Sequence, residues 1–400
     1  IFTAILELSD RNEPSDLITL SNILKEKKHL DSVGGASYLA TLVDSVPSAA
    51  NVAHYAKIVK EKSILRRLIG TATEILNKSY HAGSEVDRIL DEAEHAIFEI
   101  SEKKIRPAFF PLKEILKDSF RTIERLYEKK ELVTGVPTGF DKLDELTSGL
   151  QNAELVIVAG RPSMGKTALA LNIAQHASIE AGIPVAIFSL EMAKEQLALR
   201  MLASEARVDS QRIRKGFLGE SDWPKLTTAA GRLSDAPIFI DDTPAISVLE
   251  MKAKSRRLKA ETGLGLVILD YLQLMKGGGY ADTREQEISE ISRSLKALSK
   301  ELSVPVMALS QLNRKVEDRT NRRPQMADLR ESGAIEQDAD VILFLYRDEV
   351  YNRSEDNPEK GMAEVIIGKQ RNGPVGTVKL TFQEKYTRFD KMALHAEKAF

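Results

Sequence analysis

The chain of 400 residues has no cysteine, one tryptophan and six histidines, and each scarcity removes a class of chemistry. Without cysteine there is no disulfide framework and no thiolate metal site. The scattered histidines make no zinc motif. Long hydrophobic runs are missing too: VILFLY and LVIVA fall far short of the roughly 20 residues a membrane helix needs. The opening stretch IFTAILELSDRN lacks the basic region and cleavage site of a secretory signal. The chain therefore reads as cytoplasmic, with no membrane partner. Nor is there a surplus of positive charge, since 57 Lys and Arg face 59 Asp and Glu, a net charge of -2. Any nucleic-acid contact must come from a local patch or from a channel built by several subunits. The remainder, 42% hydrophobic and 29% charged, is ordinary globular composition, long enough for two or three domains. The chain begins at Ile1 rather than methionine, and its first domain is read as truncated at the start.

Against these absences stands GRPSMGKTALALN, residues 160–172. Gly160, Gly165, Lys166 and Thr167 satisfy G-x-x-x-x-G-K-[ST], between an apolar strand, LVIVA, and a helical stretch. The chemistry requires this order. Glycines let backbone N–H groups turn inward around phosphates, and a helix N-terminus adds positive potential. The lysine reaches the β- and γ-phosphates, and the hydroxyl of Thr167 is a Mg²⁺ ligand. With Ser163 and Ala168 these residues form the expected nucleotide-binding loop, and ATP and Mg²⁺ are the cofactors it implies.

Three regions follow from patterning. Residues 1–103 carry apolar positions at helical spacing in AHYAKIVKEKSILRRLIGTATEIL and VDRILDEAEHAIFEI, with loops at SVGG, SVPSAAN and HAGSE. They read as a small all-α domain, either a plain bundle or an interaction module. Residues 104–133 form a linker interrupted by Pro107 and Pro111. After these, Leu112, Ile115, Leu116, Phe120, Ile123 and Leu126 make an apolar stripe at 3.6 spacing. That helix needs a groove, on its own domain or on a neighbouring subunit. Residues 134–400 alternate strands with helices, which predicts an α/β fold whose central sheet is mostly parallel, ending in an antiparallel hairpin around Asn372-Gly373-Pro374.

In such sheets ligands bind at the carboxyl ends of strands. LVILD ends in Asp270, a candidate metal-holding carboxylate; an acid in an ordinary loop is the alternative. VAIFSLE ends in Glu191, placed to take a proton from an attacking water, or else to form a salt bridge or cap the next helix. VMALSQL ends in Gln311, a neutral group suited to reading the γ-phosphate. Residues 312–330 then hold Arg314, Lys315, Arg319, Arg322, Arg323 and Arg330 against Glu317, Asp318 and Asp328, either a phosphate-gripping segment or a solvated charged loop. Lys369 and Arg371 flank the last hairpin turn, where an arginine can act in trans on a neighbour's nucleotide or simply be exposed.

TGVPTGFDKLDELTSGL, GRPSMGKT, SLEM, LDYLQL, LSQLNR, DLRESGAIEQDAD and KQRNGPVG occur in that order, and together they resemble the DnaB family of bacterial replicative helicases over essentially the whole chain. The resemblance implies a RecA-like P-loop ATPase domain in a homohexameric ring that encircles single-stranded DNA and moves 5′ to 3′. It implies Lys166 and Thr167 as phosphate and Mg²⁺ ligands, Glu191 as catalytic base, Asp270 as metal support, and Gln311 as the link between nucleotide and DNA. Arg200 is an added residue of the ATP site, Arg330, Glu331 and Gly333 the loop that touches DNA, and Lys369 and Arg371 the trans-acting pair. The family's helical N-terminal domain forms a collar and meets primase, a helicase loader assists assembly, and the linker helix docks on the adjacent subunit. A RecA-like recombinase would share the cradle but not ESGAIEQDAD, and a ring assembly factor without unwinding would not need Glu191 and Arg371.

Overall fold

The computed structural model describes all residues except 12, 46–51, 81–85, 87, 88, 90, 91, 94, 95, 98, 99, 101–110, 130–132, 277–282 and 393–400. The expected loops SVPSAAN and HAGSE fall largely outside the described residues, as does much of VDRILDEAEHAIFEI. The chain forms two compact units, Ile1–Asp118 and Ser119–Phe400.

The first unit is helical: α1 (Phe2–Asp10), α2 (Leu17–Glu26), α3 (Gly35–Asp44) and the long α4 (Val52–Tyr80). Ala4, Leu8, Leu20, Ile23, Leu24 and Leu39 make a small core. Asp16 starts α2 by accepting from the N–H groups of Ile18 and Thr19, and the Thr19 side chain returns the bond to the Asp16 backbone. A left-handed residue, Gly34, turns the chain into α3. Along α4, Tyr55, Ile58, Val59, Leu65, Leu68, Ile69 and Leu76 are exposed.

Helix α5 (Leu112–Lys129) carries the predicted linker stripe. Leu112, Ile115, Leu116, Phe120 and Ile123 are exposed, and Tyr127 continues the same face. The side chain of Leu126 lies outside the described residues.

The second unit is built on one nine-stranded sheet in the order β3-β2-β4-β5-β1-β6-β7-β8-β9. The strands are β1 (Leu155–Gly160), β2 (Val185–Ser189), β3 (Ile238–Asp241), β4 (Leu266–Asp270), β5 (Val306–Gln311), β6 (Val341–Tyr346), β7 (Met362–Gln370), β8 (Gly376–Gln383) and β9 (Arg388–Lys391). The first six pair in parallel and β6 to β9 antiparallel. The helices that position the site are α6 (Asp141–Thr147), α7 (Lys166–Ile179), α8 (Lys194–Ala206), α9 (Ser210–Lys215), α10 (Asp222–Asp235), α11 (Val248–Thr262), α12 (Arg284–Leu302) and α13 (Gly333–Asp338). Because successive strand residues point to opposite faces, β1 serves two cores. Val156 and Val158 join one with α7, while Leu155, Ile157 and Ala159 join the other with α12. A strand buried on both faces reads as an unbroken apolar run, which is why LVIVA was legible. No described helix is long and apolar enough to cross a membrane.

Candidate active site

The loop after β1 is pinned from several sides. Gly165 has φ +98, and a Cβ there would stand 2.9 Å from the Phe389 ring, so only glycine fits. A Cβ on Gly160 would meet the carbonyl oxygen of Leu345 at 3.1 Å. Ser163 also has positive φ, and its carbonyl accepts from Arg347 Nη1 at 3.1 Å. The buried Arg347 guanidinium stacks 3.8 Å from the Phe382 ring centroid. Arg161, also buried, donates to the Leu312 carbonyl at 2.8 Å and pairs with Glu317 at 2.7 Å, fastening the loop to the exit of β5. Helix α7 then starts, with Leu169 N–H bonded to the Gly165 carbonyl. The N–H groups of Lys166, Thr167 and Ala168 have no acceptor within the helix. The Ala168 side chain is packed into the core.

Lys166 Nζ donates to the carbonyls of Gly160 at 2.8 Å and Arg161 at 3.3 Å, folded into its own loop. Burial lowers its pKa from 10.5 to about 8, opposed by the negative charges of Asp270 and Glu191. Thr167 Oγ1 donates to Asp270 Oδ2 at 2.7 Å. Asp270 is 4% exposed, and burial pushes its carboxyl above the ordinary range. The Thr167 hydrogen bond works against that shift, Glu191 adds to it, and Lys166 and Arg200 oppose it. Those influences place Glu191 and Arg200 within electrostatic reach of the Thr167–Asp270 pair.

Strand β2 ends at Ser189, two residues before Glu191. Ser189 Oγ donates to the Met192 carbonyl at 2.6 Å and accepts from its N–H at 3.2 Å, and Leu190 N–H bonds to the Asp270 carbonyl at 2.6 Å. This tight turn holds Glu191 beside the end of β4. The exposed Glu191 carboxylate has no hydrogen-bond or ion-pair partner among the described residues. Helix α8 starts without a side-chain cap, so neither bland reading of Glu191 describes it. On the other flank Gln311 pairs in register with Gly160. Its N–H donates to Gln273 Oε1 at 3.3 Å, while Gln273 Nε2 reaches Ser310 Oγ at 2.9 Å. Lys166, Thr167, Asp270, Glu191, Arg200 and Gln311 are thus gathered at the carboxyl edge of the parallel strands.

Lys369 and Arg371 are not. Strand β7 runs antiparallel, so Lys369 pairs with Ile342 near the start of β6, and Arg371 N–H bonds to the Asp340 carbonyl at 3.0 Å. Asp340 in turn faces Leu155, the first residue of β1. The length of β1 separates them from the phosphate loop, roughly 16 Å at about 3.3 Å per residue. Arg330 and Glu331 lie in a short 3-10 helix, Met326–Ser332, followed by exposed Gly333 opening α13. The side chains of Arg330 and Glu331 fall outside the described residues.

The basic run at 312–330 is less free than its charge count suggests. Arg319 pairs with Asp328 at 2.8 Å, Arg323 with Glu364 at 2.8 Å, and Arg322 stacks on Tyr351. Those three are engaged within the fold. Arg161, Gln273 and Arg347 are site residues that the motif reading did not single out. Arg347 was findable as a cation closing the strand VILFLY, by the rule that exposed Asp270. A cavity of about 480 Å³ flanks α7 beyond the phosphate loop, lined by Asn172, His176, Arg207 and Phe389 among others. Phe389, which packs against Gly165, links it to that loop.

A hydroxyl and a buried carboxylate in contact, with a second carboxylate repelling the first, are an oxygen donor set suited to a hard divalent cation. The residues present therefore fit Mg²⁺, and the free first-turn N–H groups and Lys166 fit a triphosphate.

Residues 135–391 match the family described as the DnaB-like helicase C terminal domain, and residues 1–61 its N terminal domain. Replicative DNA helicase DnaB of Geobacillus stearothermophilus is 54% identical over 97% of this chain and 86% of that protein. Replicative DNA helicase DnaC of Bacillus subtilis (strain 168) is 53% identical with the same coverage. Among solved structures, a DnaB-like replicative helicase described with its interactions with primase aligns with TM-score 0.75 and 36% identity, covering 98% of this chain and 91% of that one. A separately solved ATPase domain aligns with TM-score 0.67 and 42% identity, over 71% of this chain and all of that one. The expected architecture, a helical N-terminal region followed by a RecA-like domain with a mostly parallel sheet, is the one found. This chain belongs to the DnaB-like family of replicative DNA helicases.

Proposed function

We propose that this chain is an ATP-hydrolysing hexameric motor that moves 5′ to 3′ on single-stranded DNA and unwinds duplex at the bacterial replication fork. The observation that carries this reading is the separation of two half-sites. The cradle sits at the carboxyl edge of the sheet while the Lys369/Arg371 pair sits at the amino edge. A complete ATP site then needs two subunits, which makes hydrolysis a property of the ring.

In this reading Lys166 leaves the carbonyls of Gly160 and Arg161 for the β- and γ-phosphates, and the first-turn N–H groups of α7 bind phosphate oxygens. Glu191, without a hydrogen-bond or ion-pair partner among the described residues and close to Asp270, orients the attacking water and takes its proton. Thr167 and Asp270 would hold Mg²⁺, which would supply charge neutralisation to the bound phosphates. Arg200 lines the same site, Gln311 relays its state toward DNA, and Arg371 with Lys369 stabilises the neighbour's developing charge. Arg330, Glu331 and Gly333 contact the DNA backbone. The domain scheme adopted is 1–103, 104–133 and 134–400, with the helical domain forming a collar that meets primase, a loader assisting assembly, and the whole acting in the cytoplasm. In the test, Lys166→Ala should abolish ATP turnover, with or without single-stranded DNA, while the variant still folds. DNA-stimulated turnover retained in that variant would overturn the assignment.

A further inference from the structure

Arg371 is half-exposed and must reach out of its own subunit, yet its base is held by a buried carboxylate that no part of the cradle uses. Asp340 is 5% exposed. One carboxylate oxygen accepts from Leu155 N–H at 2.8 Å and from Lys296 Nζ at 2.5 Å. The other faces Arg371 Nε at 3.6 Å. The backbone repeats the connection, Arg371 N–H to the Asp340 carbonyl at 3.0 Å and Asp340 N–H to the Leu155 carbonyl at 2.9 Å. Next along the turn, Asn372 Nδ2 donates to Glu154 Oε1 at 3.1 Å. The tip of the guanidinium donates to the Gln337 carbonyl at 2.9 Å, and Lys369 Nζ to the Glu336 carbonyl at 2.5 Å. Those carbonyls end α13, the helix that begins at Gly333, where cations are favoured by the exposed C-terminal oxygens.

We propose that Asp340 is a positioning residue for the Arg371 finger: it fixes the base of that side chain to β1 and to the end of α13, so that the guanidinium is presented to the adjacent subunit's γ-phosphate. The physical case rests on pre-organisation. A long side chain held at its base loses less freedom when it engages a partner, and here the backbone bonds and the hydrogen bond to the Gln337 carbonyl hold it while the buried carboxylate adds an ion pair at 3.6 Å. Lys296, on α12, completes the pairing of the buried charge. Asn at position 340, with its oxygen kept on Leu155 N–H, would turn an amide N–H₂ toward the guanidinium.

The proposal rests on the reading of Arg371 as a trans-acting residue, and mixed rings separate the two. Lys166→Ala subunits offer an intact finger on a dead cradle, and Arg371→Ala subunits offer the reverse. Rings mixed from these two, with assembly verified by mass, should recover ATP turnover at interfaces that join the intact halves. The Asp340→Asn change is then added to the Lys166→Ala subunits only, whose cradles are already dead. A role of Asp340 confined to its own subunit's cradle cannot alter that result, whereas a role in the finger must. Recovered turnover should fall about fivefold, the upper worth of a part-exposed ion pair, and Asp340→Glu should restore part of it. Turnover equal to that of the first mixture would overturn the proposal. Should Asp340→Asn subunits fail to join rings, Asn372→Ala in the same place, at the exposed turn, should lower recovered turnover about fivefold, and no loss there would be equally damaging. If the first mixture gives no turnover from verified rings, the trans reading of Arg371 falls and takes the proposal with it.

Discussion

Thr167 and Asp270 stand 2.7 Å apart although 103 residues separate them in the chain, and this contact shows what sequence can reveal at the residue scale. The phosphate loop is readable because its chemistry is local: glycines, lysine and hydroxyl must be contiguous to wrap one group of phosphates. Asp270 and Glu191 were readable only by their place at the ends of apolar strands. Their mutual influence appears once β2 and β4 pair, Ser189 beside Asp270. Arg161 was hidden because its partners, Glu317 and the Leu312 carbonyl, lie more than 150 residues away. Glu191→Gln should keep nucleotide binding within a few-fold and lower turnover by at least about 10²-fold, the usual worth of a general base. Turnover close to the parent's in single-turnover assays would leave Glu191 a structural role only. Lys166 gives a pH prediction. Its folded pKa of about 8 lies below 10.5, so the ligand-free fold carries the cost of the buried ammonium below pH 8 and sheds it as pH rises from about 8 to about 10.5. Phosphate binding restores the charge. ATP binding at about pH 9 should therefore take up a proton, read as buffer-dependent heat, and affinity should fall as pH rises above about 8. Heat independent of buffer ionisation at that pH would contradict this.

At the scale of elements, β1, β2, β4, β5 and β6 were legible as apolar runs, and the antiparallel turn around Asn372-Gly373-Pro374 joins β7 to β8 as expected. Strand β9, four residues reading RFDK, was not. It has one buried side chain, Phe389, among charged neighbours, too short a stretch for period-two alternation to show. Yet that phenylalanine fills the space against Gly165. The charged segment after β5 misled for a related reason. Arg323 is neutralised by Glu364, 41 residues later on the neighbouring hairpin, and charge counting within a window cannot see such a partner. Helix α5 is legible in the sequence as an amphipathic helix, and Phe120 and Ile123 are exposed on it. If the α5 stripe docks on a neighbouring subunit, Phe120→Asp should weaken assembly into rings while leaving nucleotide binding by the isolated subunit unchanged, because it places a charge on that exposed apolar stripe. Rings of unchanged mass at low protein concentration would mean the stripe is not part of the contact.

For the whole molecule, order along the chain determines which edge of the sheet each group occupies. Parallel crossovers bring the ends of β1, β2, β4 and β5 to one edge. The reversal after β6 carries Lys369 and Arg371 to the other. That reversal could be anticipated from the hairpin, but its consequence, that the pair lies at the edge away from the phosphate loop, needed the sheet order. The central claim is that nucleotide energy is spent on directed motion along single-stranded DNA. Strand separation by assembled rings on forked duplexes tests it most directly, comparing a substrate whose only single-stranded loading tail is 5′ with one whose only tail is 3′. The account predicts ATP-dependent separation from the 5′ tail, little from the 3′ tail, and none with Lys166→Ala rings. ATP turnover without separation on either substrate, or a preference for the 3′ tail, would contradict it.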